Sequence, residues 1–169
     1  MRSATHFRLR RGMNESYKLS ILTPTLPSRL DYIRNLSTNI SYQSQFNSVQ
    51  WLYLGDNKSK TVGEKRNLLL DMADGDWICF VDDDDKISDD FIKDIVNVID
   101  AAPDKKVITF WGTQSTNGHK DAPFRYGRHF GRNFKKVIDG VRWKVMIPDH
   151  LCVWKREIIK ERFPDKSLA

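Results

Sequence analysis

Short apolar runs alternate with amphipathic stretches along the first two thirds of the chain. Leu19-Ser20-Ile21-Leu22, ahead of Thr23-Pro24-Thr25, predicts a buried strand stopped by Pro24 and Pro27. Ser28 opens a helix, with Asp31 three residues on as a weak form of the capping box. Leu30, Ile33, Leu36 and Ile40 fall near helical spacing on its inward side. Val49–Leu54 predicts a second strand, closed by Gly55-Asp56-Asn57. Thr61 and Glu64 form a capping-box pattern for a second helix, which carries Leu68, Leu69 and Met72 and ends at Gly75. Trp77–Val81 is a third buried strand, running straight into the carboxylates Asp82, Asp83, Asp84 and Asp85. Ser88 caps a third helix with Phe91, Ile92, Ile95, Val96 and Ile99 inward and Pro103 past its end. Val107–Trp111 predicts a fourth strand.

This β-α-β-α-β-α-β order predicts an α/β fold: a mostly parallel, Rossmann-like sheet with helices on both faces. The remainder changes character. Asp139-Gly140 stands between Phe134–Ile138 and Val141–Val145, a strong hairpin signal. A short helix over Lys155–Glu161 follows. Trp51, Trp77 and Trp111 fall on strands and are expected in the core, while Trp143 and Trp154 lie nearer the far side of the site.

Composition narrows the class. At 169 residues, 40% hydrophobic and 30% charged, the chain suits one globular domain. No apolar run is long enough to span a bilayer. Cys79 and Cys152 lie inside apolar stretches without metal-type spacing, which suits buried thiols in a cytoplasmic protein. The net charge is +6, with the excess base in residues 1–16 and 119–144. The first 16 residues carry Arg2, Arg8, Arg10 and Arg11 without helix or strand period and are expected to be a flexible arm. Residues 17–112 are then expected to form the α/β half, and 113–169 the second part of the same domain. No Gly-x-Gly-x-x-Gly or Gly-x-x-x-x-Gly-Lys-Ser/Thr is present, which argues against a dinucleotide oxidoreductase and a P-loop phosphohydrolase.

The acid run carries the chemistry. Adjacent carboxylates repel, and a divalent cation relieves that repulsion. Mg²⁺ and Mn²⁺ prefer oxygen ligands, and Mg²⁺ is commonly held by one or two carboxylates plus substrate phosphates. In open parallel sheets, ligands bind beyond the carboxyl ends of strands, where these acids fall. Asp83 alternates away from Asp82 and Asp84 if the extended geometry persists. Lys65 and Arg66 are cations near a helix N-terminus, a placement the macrodipole disfavours unless an anion sits nearby. The plainer alternative is a solvated acidic turn and a solvated helix face.

Several pieces together resemble the family 2 glycosyltransferases of GT-A fold. They are Ser20–Thr25, Gly55-Asp56-Asn57, Gly63-Glu64-Lys65-Arg66-Asn67, Ala73–Ile78 and Asp82–Asp85, with looser likeness around His150 and Phe163-Pro164-Asp165. The set also resembles compact glycosyltransferase-like proteins of phages. The resemblance implies a nucleoside diphosphate-sugar, UDP-linked, as donor, Mn²⁺ or Mg²⁺ as cofactor, and transfer to an acceptor hydroxyl with inversion. It implies Asp84 and Asp85 at the metal, and Asp82 on the ribose or the metal's waters. Asp56 would meet the nucleobase, with Thr23, Pro24 and Thr25 lining its pocket. Lys65 and Arg66 would lie on the diphosphate, with Asn67 fixing the adjacent loop. His150 would stand on the acceptor side. The family's carboxylate base usually follows a segment like Phe163–Ser167, and the sequence given stops at Ala169. Asp149 is the nearby acid nominated in its place, and nucleotide binding with little transfer is the expectation. Three rivals remain: an impaired nucleotide-sugar-binding module, a GT-A-like nucleotidyltransferase, and a nucleic-acid-binding protein. The last would use Arg125, Tyr126, Arg128, Phe130, Arg132 and Phe134. His119 and His129 are expected at the surface.

Overall fold

The computed structural model describes residues 16–44, 48–116, 119–127 and 133–164. The basic arm up to residue 15, the cation–aromatic residues Arg128, Phe130 and Arg132, His129, and the segment 165–169 lie outside the described residues. In chain order the described elements are β1 (Leu19–Thr25), α1 (Leu30–Ser44), β2 (Val49–Gly55), α2 (Val62–Met72), β3 (Trp77–Phe80), α3 (Phe91–Ala101), β4 (Val107–Ile108), β5 (Trp111–Thr116), β6 (His119–Tyr126), β7 (Phe134–Ile138), β8 (Val141–Met146) and β9 (Val153–Lys155). Among the described residues no helix is long and apolar enough to cross a membrane.

The first sheet has the order β2-β1-β3-β9-β4. β1 pairs in parallel with both β2 and β3. Alternation along β1 and β3 sorts their side chains to two faces. Leu19, Ile21, Trp77 and Cys79 pack against Leu36 and Ile40 of α1 and Ile92, Ile95, Val96 and Ile99 of α3. Leu22, Ile78 and Phe80 pack on the other face with Leu69 of α2. The expected α/β layering with helices on both faces is therefore present.

The sheet is closed by a strand that the sequence reading did not anticipate. β9 inserts antiparallel between β3 and β4, pairing Ile78 with Trp154 and Val107 with Trp154 on its two sides. The short helix expected over 155–161 is reduced to a single 3-10 turn, Arg156–Ile158.

The second sheet has the order β5-β6-β8-β7. The expected hairpin is β7–β8, and its turn residues Asp139 and Gly140 have φ of 51° and 76°. Two consecutive left-handed residues are what a tight two-residue hairpin requires, and Asp-Gly adopts them readily.

Five other expectations are corrected. Pro24 does not stop the first strand: β1 runs on to Thr25, with Pro24 opposite Leu54. Pairing with β3 ends at Leu22, so Pro24 sits where β1 has become an edge on that side, and an edge tolerates proline. The fourth strand is split, because Phe110 packs edge-on against Phe91 and Tyr126 and turns the chain from one sheet to the other. Trp111 then faces outward at 71% exposure, its edge on Trp143. Ser88 is not the cap of α3. Gln43 of α1 does that work, accepting from Ile92 N at 2.8 Å and donating to the Ser88 carbonyl at 2.8 Å. Finally, α2 ends at Met72 rather than Gly75, whose amide instead donates to the buried Ser20 hydroxyl at 2.8 Å.

Candidate functional site

Three parallel strands end on one edge of the first sheet, at Thr25, Gly55 and Phe80. Asp56 follows β2 directly, and α2 begins shortly after it. The start of α2 is fixed by the predicted capping box: Thr61 Oγ1 accepts from Glu64 N, and the Glu64 carboxylate accepts from Thr61 N. That start carries Lys65 inward, where it is only 3% exposed. Its Nζ lies 3.1 Å from Asp56 Oδ1 and donates to the Thr25 carbonyl at 2.9 Å. Asp56 Oδ2 accepts from Ser59 Oγ and Lys60 N. Burial alone would raise the Asp56 pKa, but the donors from Ser59, Lys65 and Lys60 outweigh it and hold the carboxyl below its usual range. Lys65 therefore stands inside the fold as the counter-ion of Asp56.

The acid run folds into a turn, closed by Asp85 N donating to the Asp82 carbonyl at 3.0 Å. The turn divides four adjacent carboxylates among different surroundings. Asp83 is buried, accepting from Thr25 Oγ1 at 2.5 Å and lying 3.1 Å from Arg29 Nη2. Its burial raises its pKa, with Thr25 and Arg29 opposing. Asp84 is exposed and meets the same Arg29 Nη2 at 2.5 Å. Asp82 is half-buried and faces Arg66 Nη2 at 3.1 Å. Asp85 accepts from Asp82 N. Although the residue as a whole is open to solvent, protein atoms crowd its carboxyl. Desolvation first, then the charges of Asp82, Asp84 and Asp83, push it up to about 6.

An aromatic cluster flanks the turn. The Arg66 guanidinium lies 5.7 Å from the Phe80 ring centre and 5.5 Å from that of Phe163. Phe80 and Phe163 meet edge-to-face at 5.3 Å, and His150 stands edge-on to both. Burial first, then the charge of Arg66, lowers the His150 pKa and favours the neutral imidazole. Asp149 is engaged elsewhere: its Oδ1 accepts from Tyr126 Oη at 3.1 Å and from Leu151 N at 3.0 Å. Arg66 Nε is buried and, among the described residues, has no hydrogen-bond partner. A buried donor of this kind is costly unless an acceptor arrives.

The sequence from residue 33 to residue 163 matches the profile of Glycosyl transferase family 2. The chain belongs to glycosyl transferase family 2. Its GT-A fold is shared with two solved structures of S. aureus TarS 1-349. The one in complex with UDP-GlcNAc is 18% identical with a TM-score of 0.55, over 87% of this chain and 48% of that one. The one in complex with UDP is 17% identical with a TM-score of 0.55, over 88% and 50%. The glycosyl transferase chain described here thus spans about half the length of these relatives. No curated protein matches the sequence.

Set in this family's fold, Thr25, Asp56, Lys65, Arg66 and Asp82–Asp85 come together at one edge, joined by His150. Thr23 is fully buried and accepts from Trp51 Nε1 at 3.2 Å. Among the described residues, no three His, Cys, Asp or Glu side chains converge as a ready-made metal cluster. A cleft of about 500 Å³ opens elsewhere, lined by Lys18, Asp76, Asp100 and Glu157 among others. Within it Lys18 pairs with Asp100 and Lys155 with Glu157. Sequence reasoning missed Arg29, because nothing in its local pattern shows that it will lie across a turn more than fifty positions away. It also missed Tyr126 as the partner of Asp149 and Phe163 as the neighbour of Arg66.

Proposed function

We propose that this chain carries the donor site of an inverting glycosyltransferase. It would bind a UDP-linked sugar with Mg²⁺ or Mn²⁺ and pass the sugar to an acceptor hydroxyl. The observation that carries this reading is the meeting of Arg66, with its unpaired buried Nε, and the acid turn at the carboxyl edge of a parallel sheet. Family membership and the fold shared with a UDP-GlcNAc-bound relative support it.

The donor set fits a hard divalent cation. All candidate ligands are carboxylate oxygens; desolvation first, and then the neighbouring carboxylates, raise the Asp85 pKa, and a cation would offset both. Two carboxylates plus the donor's phosphates are a common way of holding Mg²⁺. Asp84 and Asp85 would hold it. When bound, the cation supplies Lewis-acid stabilisation of the leaving diphosphate. Arg66 donates to the same diphosphate, while Asp82 keeps the guanidinium at the edge. Asp56, with Lys65, Ser59 and Lys60, shapes the loop that receives the base. On the acceptor side, neutral His150 accepts a hydrogen bond from the hydroxyl and orients it. Asp149, held by Tyr126, fixes the segment that carries His150. In this reading residues 17–112 are the donor half and 113–169 the acceptor side.

Calorimetric titration with UDP tests the proposal. Binding should require Mn²⁺ or Mg²⁺ and should exceed binding of ADP. Asp85→Asn should remove most of the metal-linked affinity, whereas Asp83→Asn, which is buried under Arg29, should matter less. Equal UDP binding in EDTA, or none with metal, would overturn the reading.

A further inference from the structure

The segment that ends the described chain is fastened to α2 by more contacts than a passing loop needs. The Asn67 side chain reads both sides of the Phe163 peptide unit: Nδ2 donates to Phe163 O at 3.0 Å, and Oδ1 accepts from Phe163 N at 2.9 Å. This is the pairing a neighbouring strand would offer, supplied by one amide. Arg162 adds a bond to Asp71 at 2.7 Å and one to the Asn67 carbonyl at 3.3 Å. Gly63 completes the seat, since a Cβ there would fall 2.0 Å from the Pro164 carbonyl oxygen. A backbone atom cannot swing away as a side chain does, so only glycine admits this approach.

The fastening fixes a ring. Phe163 is held edge-on to Phe80, and the Arg66 guanidinium lies within cation–π range of both ring centres. Among the described residues Arg66 forms one ion pair, with Asp82. Without the second ring, its guanidinium has one aromatic wall and many more rotamers. We infer that Asn67 and Phe163 are positioning residues: the docked segment 162–164 sets the direction in which Arg66 presents its donors to an anionic ligand. For the ligand being a donor diphosphate, this rests on the function proposed above; for the orientation of Arg66 it does not.

Two measurements on folded variants test the inference. The imidazole resonances of His150, assigned by their loss in His150→Gln, respond to the position of Arg66, since burial first and then the Arg66 charge depress the His150 pKa. Asp82 and Asp149 are the acids acting on the same ring. Arg66→Met should shift the His150 titration to higher pH. Asn67→Ala and Phe163→Leu, which keeps bulk without a ring, should shift it the same way, and Phe163→Tyr should not. UDP with Mn²⁺, titrated calorimetrically well below each melting midpoint, should bind about tenfold more weakly to Asn67→Ala and Phe163→Leu, and normally to Phe163→Tyr. That is the loss expected when one charge-assisted hydrogen bond falls out of line. Unchanged His150 titration in Asn67→Ala and Phe163→Leu, alongside a shift in Arg66→Met, would overturn the inference. If the parent chain binds no UDP, the donor reading falls, and the His150 titration alone decides whether the segment holds Arg66.

Discussion

A single buried ion pair, Asp56–Lys65, organises the loop after β2. Removing one partner leaves the other charge buried without a counter-ion, typically a loss of about 3–5 kcal/mol. Asp56→Ala should therefore lower the urea midpoint sharply as well as weaken nucleotide binding. Lys65→Met added to it should recover much of the stability, because the stranded ammonium is gone. The pH dependence has a definite sign. The Asp56 pKa is lower in the fold than in the unfolded chain. Its contribution is thus present at pH above about 4 and is lost as the pH falls through the folded value. Urea unfolding of Asp56→Asn across pH 3 to 7 should show a flatter acid limb than the parent. An equally steep limb would mean that other carboxyls govern acid unfolding.

Single elements carry their own tests. In the β7–β8 hairpin, Gly140 has φ of 76° and no atom within 4 Å of where a Cβ would sit. Gly140→Ala should cost only the left-handed backbone strain of about 1–2 kcal/mol, measurable as a small drop in thermal midpoint. Thr61→Ala should cost about 1 kcal/mol by removing the cap of α2. These are the features that were legible in the sequence, because each signal is local: Asp-Gly between two apolar runs, Thr and Glu three apart, an apolar run ending in acids. What was not legible depends on partners far along the chain. Gln43 caps α3 from another helix, and no residue near Ser88 advertises it. β5 is mostly small and polar, and β6 contains Pro123, so neither shows a clean period of two. Cys152-Val153-Trp154 is too short an apolar run to tell strand from helix. At the site, the acid turn could be read from the apolar run before it and Arg66 from its charge near a helix start, while Asp56 came only from the family resemblance. That Lys65 would be buried against Asp56, and that Arg29 would bridge Asp83 and Asp84, could not.

For the molecule as a whole, β9 is the decisive strand. It belongs to the last part of the chain, yet it lies between β3 and β4 in the first sheet, with Cys152 and Val153 fully buried. Neither part is expected to be stable alone. Unfolding followed by tryptophan fluorescence and by far-ultraviolet circular dichroism should give coincident transitions, and a chain ending at Pro148 should not fold. Separate transitions, or a folded truncated chain, would show that the part before β9 stands by itself. The same strand order bears on how the protein is made. As the chain emerges from a ribosome, β1, β2 and β3 appear early and can assemble, but one edge of β3 must wait for about seventy further residues, several seconds of synthesis at typical rates. Through that interval a fully apolar strand edge is open beside the acid turn. The nascent chain therefore passes through a period in which its acid turn borders an unpaired apolar strand edge, and slowing translation between β3 and β9 should lower soluble yield.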